Sequence, residues 1–136
     1  MKKFATAVWK GGLKSGAGEL STESGAMNQV GYDFKKRFEG EAGTNPEELI
    51  AAAHAACFSM ALSGQLEERG INPERIETKS TVTMENLKVT TSHLETVVTA
   101  PGADAEKAAE AWSAAKAGCP ISKALNVEIT LDAKLA

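Results

Sequence analysis

The stretch NPEELIAAAHAACFSMAL places one of the chain's two cysteines, Cys57, in a run of alanines ten residues after Glu47. A thiol that only fills space needs no partners there, whereas a reactive one does. Its unperturbed pKa is about 8.5, only the thiolate is a good nucleophile, and burial among alanines raises the pKa further. Activation therefore calls for a cation. The arginines are Arg37, Arg69 and Arg75. Arg69 lies twelve positions down the same helix, about 18 Å along its axis. Arg75 follows that helix in a loop with no evident route back. Arg37, in KKRFEG before the helix-bearing segment, is the candidate, because a guanidinium stays charged and its planar fork can hold a thiolate and a carboxylate together. Glu47 is the natural carboxylate, although an acid in the first turn also complements the helix dipole with no catalytic reason, and on position alone that reading is the stronger.

Cys119, in AGCPISKAL, is the candidate for finishing such a reaction. Gly118 and Pro120 put it at a turn where a new helical piece begins, a setting that favours a thiolate. Two thiols that meet in space carry a sulfenic acid on to a disulfide before irreversible oxidation. From spacing alone, two unrelated structural cysteines are an equally good reading, since free cysteine packs as a small hydrophobe. His54 and Cys57 have H-x-x-C spacing, but a closed metal site usually needs four ligands and His93 sits in a separate segment. His54 is expected to be a core or interface histidine with hydrogen-bonded nitrogens, and no metal or cofactor is expected. GGLKSG lacks the Gly-Lys-Ser/Thr order of a phosphate loop and reads as a turn.

These residues need elements to hold them. FATAVW (4–9), GELSTES (18–24) and YDFKKRF (32–38) read as three short strands separated by Gly-rich turns. Asn45 as N-cap, Pro46 at N1 and Glu48 three residues past the cap open a long central helix that Gly70 ends. IETKSTVTM and KVTTSHLETVVTA, rich in β-branched residues, flank the turn ENL as a hairpin. DAEKAAEAWSAAKAG reads as a second helix with Asp104 as its cap, CPISKAL as a short helical piece, and VEITLDAKL as a closing strand. The order is βββαββααβ, an α+β pattern of antiparallel sheets around a central helix, and residues 1–136 are expected to form one domain.

The central helix is apolar nearly all round from Leu49 to Leu62, with His54 and Ser59 the clear exceptions. Such a helix needs cover on every side, more than one small domain supplies, so two chains are expected to share one core. No run approaches the roughly 18 apolar residues of a membrane span, and MKKFATAVWKGGLK is too short in apolar residues for a signal peptide. A soluble cytoplasmic protein is expected. With 15 basic and 18 acidic residues, the net charge of −3 offers no general attraction to nucleic acid.

STESG, RFEGEAGTNPEELIAAAHAACFSMAL, AGCPISKAL and EITLDAKL together resemble the OsmC/Ohr superfamily (osmotically inducible protein C and organic hydroperoxide resistance protein) over nearly the whole chain, and its OsmC branch in particular. No arginine precedes Arg37, which fits that branch. The resemblance implies an intertwined homodimer with two sites at the interface and a thiol-dependent peroxidase that reduces organic hydroperoxides, and hydrogen peroxide, to alcohol and water. It implies Cys57 as the peroxidatic cysteine, Cys119 as the resolving cysteine of an intrasubunit disulfide, and Arg37 with Glu47 as the activating pair. A dithiol reductant of lipoyl type is implied as the electron donor. The alternative from another class is a non-catalytic small-molecule-binding dimer of the same fold.

Ten helical residues separate Glu47 from Cys57 by about 15 Å along the axis, more than one Arg-bridged cluster spans comfortably. Arg37 and Glu47 of one subunit are therefore expected to serve Cys57 of the other. Mixing Arg37→Ala with Cys57→Ser subunits under conditions of dimer exchange should restore partial activity from two inactive parents. Proven exchange, by mass spectrometry, with no recovered activity would place Arg37 in the same chain's site instead.

Overall fold

The computed structural model describes residues 1–136 as two compact units, Met1–Leu49 and Ile50–Ala136. In the first, β1 (Ala5–Lys10), β2 (Ala17–Thr22) and β3 (Val30–Tyr32) form an antiparallel sheet in the order β1-β2-β3. The third expected strand, YDFKKRF, is mostly not a strand. β3 stops at Tyr32, and Phe34–Phe38 forms a short helix, α1. Asp33 is the physical reason: its carboxylate accepts from the Lys36 N–H at 2.9 Å, an N-cap bond that starts a helix where the apolar alternation suggested extended chain. Arg37 accordingly sits in the last turn of a helix and does not end a strand.

Helix α2 (Pro46–Glu67) starts as the sequence dictates. Asn45 Oδ1 accepts from the Glu48 N–H at 2.8 Å, and Pro46 occupies the first helical position, where its missing N–H costs nothing. At the other end the Gly70 N–H reaches Glu67 O and the Ile71 N–H reaches Leu66 O, each at 2.9 Å. Gly70 makes this return with φ of +74°, a left-handed turn that glycine takes without steric cost. By length and mean composition, α2 is long and apolar enough to cross a membrane, contrary to the expectation that no run qualifies. Alanines raise the average without forming a uniformly greasy surface, and the helix also carries His54 and Ser59, both hydrogen-bonded within the fold.

The second unit contains most of α2, then β4 (Arg75–Glu85), β5 (Lys88–Thr99), α3 (Ala105–Gly118), α4 (Pro120–Ala124) and β6 (Glu128–Leu135). Its sheet has the order β4-β5-β6. β4 and β5 form the expected antiparallel hairpin, but β6 runs parallel to β5, so this sheet is mixed and not wholly antiparallel. The cause is connectivity: α3 and α4 carry the chain from the end of β5 back to the start of the sheet, the crossover that a parallel neighbour requires. The complete order is βββααββααβ, an α+β fold with one helix more than expected.

Two stripes and one strand face make the core. His54, Phe58, Leu62 and Leu66 recur every fourth residue along α2 and are fully buried. On β5, Ser92, Leu94, Thr96 and Val98 alternate inward, as a two-residue side-chain period demands. Ala108, Ala111 and Ala115 form the inner face of α3, small enough for close approach, and this stripe runs on directly to Cys119. A fully buried leucine in such a core leaves a cavity when truncated. Leu62→Ala should lower stability by about 2–5 kcal/mol, measured by chemical denaturation at fixed protein concentration; a loss well under 1 kcal/mol would contradict this core.

Candidate functional site

Cys57 and Cys119 come together. Their sulfurs lie 2.9 Å apart, both thiols are free, and the residues are 62 positions apart in sequence. Cys57 stands one position before Phe58, at the edge of the buried stripe, and is half-buried; Cys119 is fully buried. Cys119 serves both neighbouring helices. Its N–H donates to Ala115 O at 2.9 Å, closing α3, while its carbonyl accepts from the Lys123 N–H at 3.1 Å, opening α4. Pro120 enforces the break: the residue before a proline is driven out of the helical region, and Cys119 has φ −56° and ψ 127°.

The two thiols are unequal. Burial pushes the Cys57 thiol up from its ordinary value, sharing a proton with Cys119 pushes it further, and the Ile121 N–H offsets this in part. At Cys119 burial again opposes charge, but the Cys57 thiol, the N–H and hydroxyl of Ser122, and the Ile121 N–H together outweigh it and hold this thiol below its ordinary value. The proton between the sulfurs therefore favours Cys57. None of the groups acting on Cys57 is a cation.

The remaining expected site residues form a pair in the first unit. Arg37 donates from Nε to Glu47 Oε2 at 3.1 Å and from Nη2 to Glu47 Oε1 at 2.7 Å, the two-pronged geometry of a guanidinium on a carboxylate. The guanidinium carbon also lies 5.1 Å from the centre of the Phe38 ring. These bonds hold the Glu47 carboxyl below its ordinary value, with partial burial opposing them, and raise the Arg37 guanidinium. Glu47 is thus more than a charge near a helix start: it holds Arg37 in a defined orientation.

His54 has both ring nitrogens engaged, as expected for a core histidine. Nδ1 lies 2.7 Å from Ser92 Oγ and Nε2 2.8 Å from Ser122 Oγ. Ser92 continues to Ser80 Oγ at 3.2 Å. Burial lowers the His54 pKa below its ordinary 6.5 and keeps the ring neutral. Sequence reasoning passed over these serines. A signal was present in the matched spacings His54-x-x-Cys57 and Cys119-x-x-Ser122, each one helical turn.

An α+β protein with a facing pair of free thiols, one at a helix edge and the other at a helix joint, is the class defined by these features. Comparison narrows it. The family described as OsmC-like protein matches residues 38–134. The chain is 50% identical to Peroxiredoxin OsmC of Escherichia coli (strain K12), across 98% of this chain and 96% of that protein. It is 34% identical to Organic hydroperoxide resistance protein OhrB of Bacillus subtilis (strain 168), across 87% of this chain and 90% of that one. The crystal structure of the Organic Hydroperoxide Resistance Protein OhrB of Bacillus subtilis superposes with a TM-score of 0.67 at 31% identity, covering 96% of this chain and 98% of the other. The chain belongs to the OsmC-like family.

The Arg37–Glu47 pair sets a pH signature. A carboxyl depressed in the fold contributes stability that is complete above its unfolded value and is lost as pH falls through the folded one. The stability difference between parent and Glu47→Gln should therefore be largest above pH 4.5, the ordinary value for this side chain, and shrink below it. A difference that grows on acidification would show that Glu47 is not held as a carboxylate.

Proposed function

We propose that this protein is a cysteine-based peroxidase that reduces organic hydroperoxides, and hydrogen peroxide, to alcohol and water. The observation that carries the reading is the 2.9 Å approach of two free thiols, only one of which is partly open to solvent. The names of its relatives, peroxiredoxin and organic hydroperoxide resistance protein, support it.

Cys57 is the peroxidatic residue because Cys119 is fully buried. The Cys57 thiolate attacks one peroxide oxygen, the O–O bond breaks, and the departing alkoxide takes up a proton as the alcohol, leaving Cys57 as a sulfenic acid. Cys119 then attacks the Cys57 sulfur; hydroxide leaves and takes the thiol proton as water, forming an intrasubunit disulfide. A dithiol of lipoyl type returns both cysteines to thiols by exchange and is itself oxidised to a disulfide. Arg37, oriented by Glu47, supplies the positive charge that Cys57 needs for ionisation and that the departing oxygen needs in the transition state.

The catalytic unit is a homodimer of one domain spanning residues 1–136, with sites at the subunit interface. Exposed apolar surface supports this assembly: Ala52, Ala53, Ala56 and Met60 line an open face of α2, Met60 at 78% exposure, and every residue of β1 is exposed. A second copy would cover such surface at a gain of about 25 cal/mol per Å² of apolar area. A reducing cytoplasm suits a pair of thiols that must start each cycle free.

Cys57→Ser should abolish peroxide consumption, since a serine hydroxyl gives no accessible anion at this site. Cys119→Ser should still be oxidised at Cys57, form no internal disulfide, and gather sulfenic and over-oxidised forms under excess peroxide. Intact mass after one equivalent of peroxide reads both, and in the parent the loss of two hydrogen atoms that marks a disulfide is expected. An unchanged parent mass would favour a non-catalytic small-molecule-binding dimer, and full turnover by Cys57→Ser would exclude the mechanism.

A further inference from the structure

His54 and Cys57 stand one turn apart on α2, and Ser122 stands in the first turn of α4, three residues after Cys119 at its N-cap. Each residue of the first pair meets one of the second: sulfur to sulfur at 2.9 Å, and His54 Nε2 to Ser122 Oγ at 2.8 Å. The first turn of α4 is therefore fastened to α2 at two points, and the two segments run past each other in opposite directions. The thiol contact is the one that reacts. The other lies on a fixed base, because His54 Nδ1 is anchored through Ser92 to Ser80, on neighbouring strands of the sheet.

Stability alone gives little reason for a histidine here. Phe58, Leu62 and Leu66 continue its stripe as apolar residues, and a buried imidazole must recover its desolvation cost through hydrogen bonds whose net worth is only about 1 kcal/mol each. What a hydrogen bond adds is direction. Hydrophobic contact would let α4 slide, whereas the His54–Ser122 bond has one length and one orientation. We propose that His54 is a positioning residue for disulfide closure: through Ser122 it fixes the first turn of α4 on α2, so that Cys119 Sγ is aimed at the Cys57 sulfur after Cys57 has been oxidised. This assignment rests on the two-thiol reading above for its place in turnover.

Proton counting gives the clamp a polarity. A serine hydroxyl has one proton. With the imidazole proton on Nε2, Ser122 accepts from His54 Nε2–H at 2.8 Å. Neutral His54 then accepts at Nδ1 from the Ser92 hydroxyl, and Ser92 accepts from Ser80. Every donor in this tautomer points along one line toward Ser122. Closure from 2.9 Å to the bonded distance asks for a shift of roughly 0.9 Å, small enough for the clamp to persist while the bond forms.

The test uses the full-length dimer and the variants His54→Leu, His54→Gln and Ser122→Ala. Single-turnover reaction with an alkyl hydroperoxide, quenched and read by intact mass, separates sulfenic-acid formation from disulfide closure. In His54→Leu and Ser122→Ala the ratio of closure to first-step rate should fall about ten-fold, the scale expected when a reacting group loses its positioning. His54→Gln, whose side-chain amide can still donate to Ser122, should recover most of that loss, which a role in core stability alone does not predict. Equilibration with dithiothreitol buffers, without peroxide, should show the disulfide about ten-fold easier to reduce in the two disruptive variants, a shift of about 30 mV. Closure and equilibrium at parental values in Ser122→Ala overturn the proposal, as does equal slowing in His54→Gln and His54→Leu. Should His54→Leu fail to fold, Ser122→Ala and His54→Gln decide the matter. A parent that forms no sulfenic acid with peroxide defeats the peroxidase reading, and the dithiol equilibrium then still judges the clamp.

Discussion

Burial of one stripe of α2 against β5 is the constraint on which the rest of the molecule depends. Residues four apart on a helix share a face, so once His54, Phe58, Leu62 and Leu66 are inside, Cys57 must lie at the rim, about 100° round the helix from Phe58. It is held firmly, with part of its surface reachable. A second stripe arrives from α3, whose alanines end in Cys119. The thiol pair is where two buried faces intersect, which makes its geometry a property of the core and not of a loop. Sites carried on packed elements keep their reacting atoms in place at no further entropic cost during the reaction.

That same packing leaves an electrostatic debt at the attacking sulfur. Burial disfavours the Cys57 thiolate, and the proton between the two sulfurs favours Cys57. Cys119 is the fully buried member of the pair and Cys57 the half-buried one. Arg37 and Glu47 together carry no net charge, so their field depends on orientation: the carboxylate occupies Nε and Nη2, and the other guanidinium donors are directed elsewhere.

Much of this was written locally in the chain. Asn45-Pro46 and Gly70 bound α2, the β-branched runs gave the hairpin, and Asp104 began α3, because caps and strand propensity act over a few residues. The α1 segment failed for an equally local reason. Phe34 and Phe38 satisfy a strand or a helix, and Asp33 decides between them through a single bond. The parallel placement of β6 depends on a crossover that no short window contains. Among the candidate residues, elimination of the other arginines pointed to Arg37, which pairs with Glu47, while spacing could not tell paired cysteines from separate ones. The serines around His54 were invisible for a related reason: a serine's meaning lies in what it faces, and Ser92 and Ser122 are 38 and 68 positions from that ring.

The long sequence interval between the two sulfurs has a further consequence. A bond joining Cys57 to Cys119 would close β4, β5 and α3 into one covalent ring, with the sheet's central strand as part of it. The unfolded chain would lose the freedom of a 62-residue interval, worth about 4 kcal/mol on a chain-entropy estimate. Reduction would hand that freedom back. With that bond formed, the molecule would resist unraveling, and proteases that need an unraveled chain, more than with both thiols free, so its lifetime as a polypeptide would follow the redox state of its surroundings.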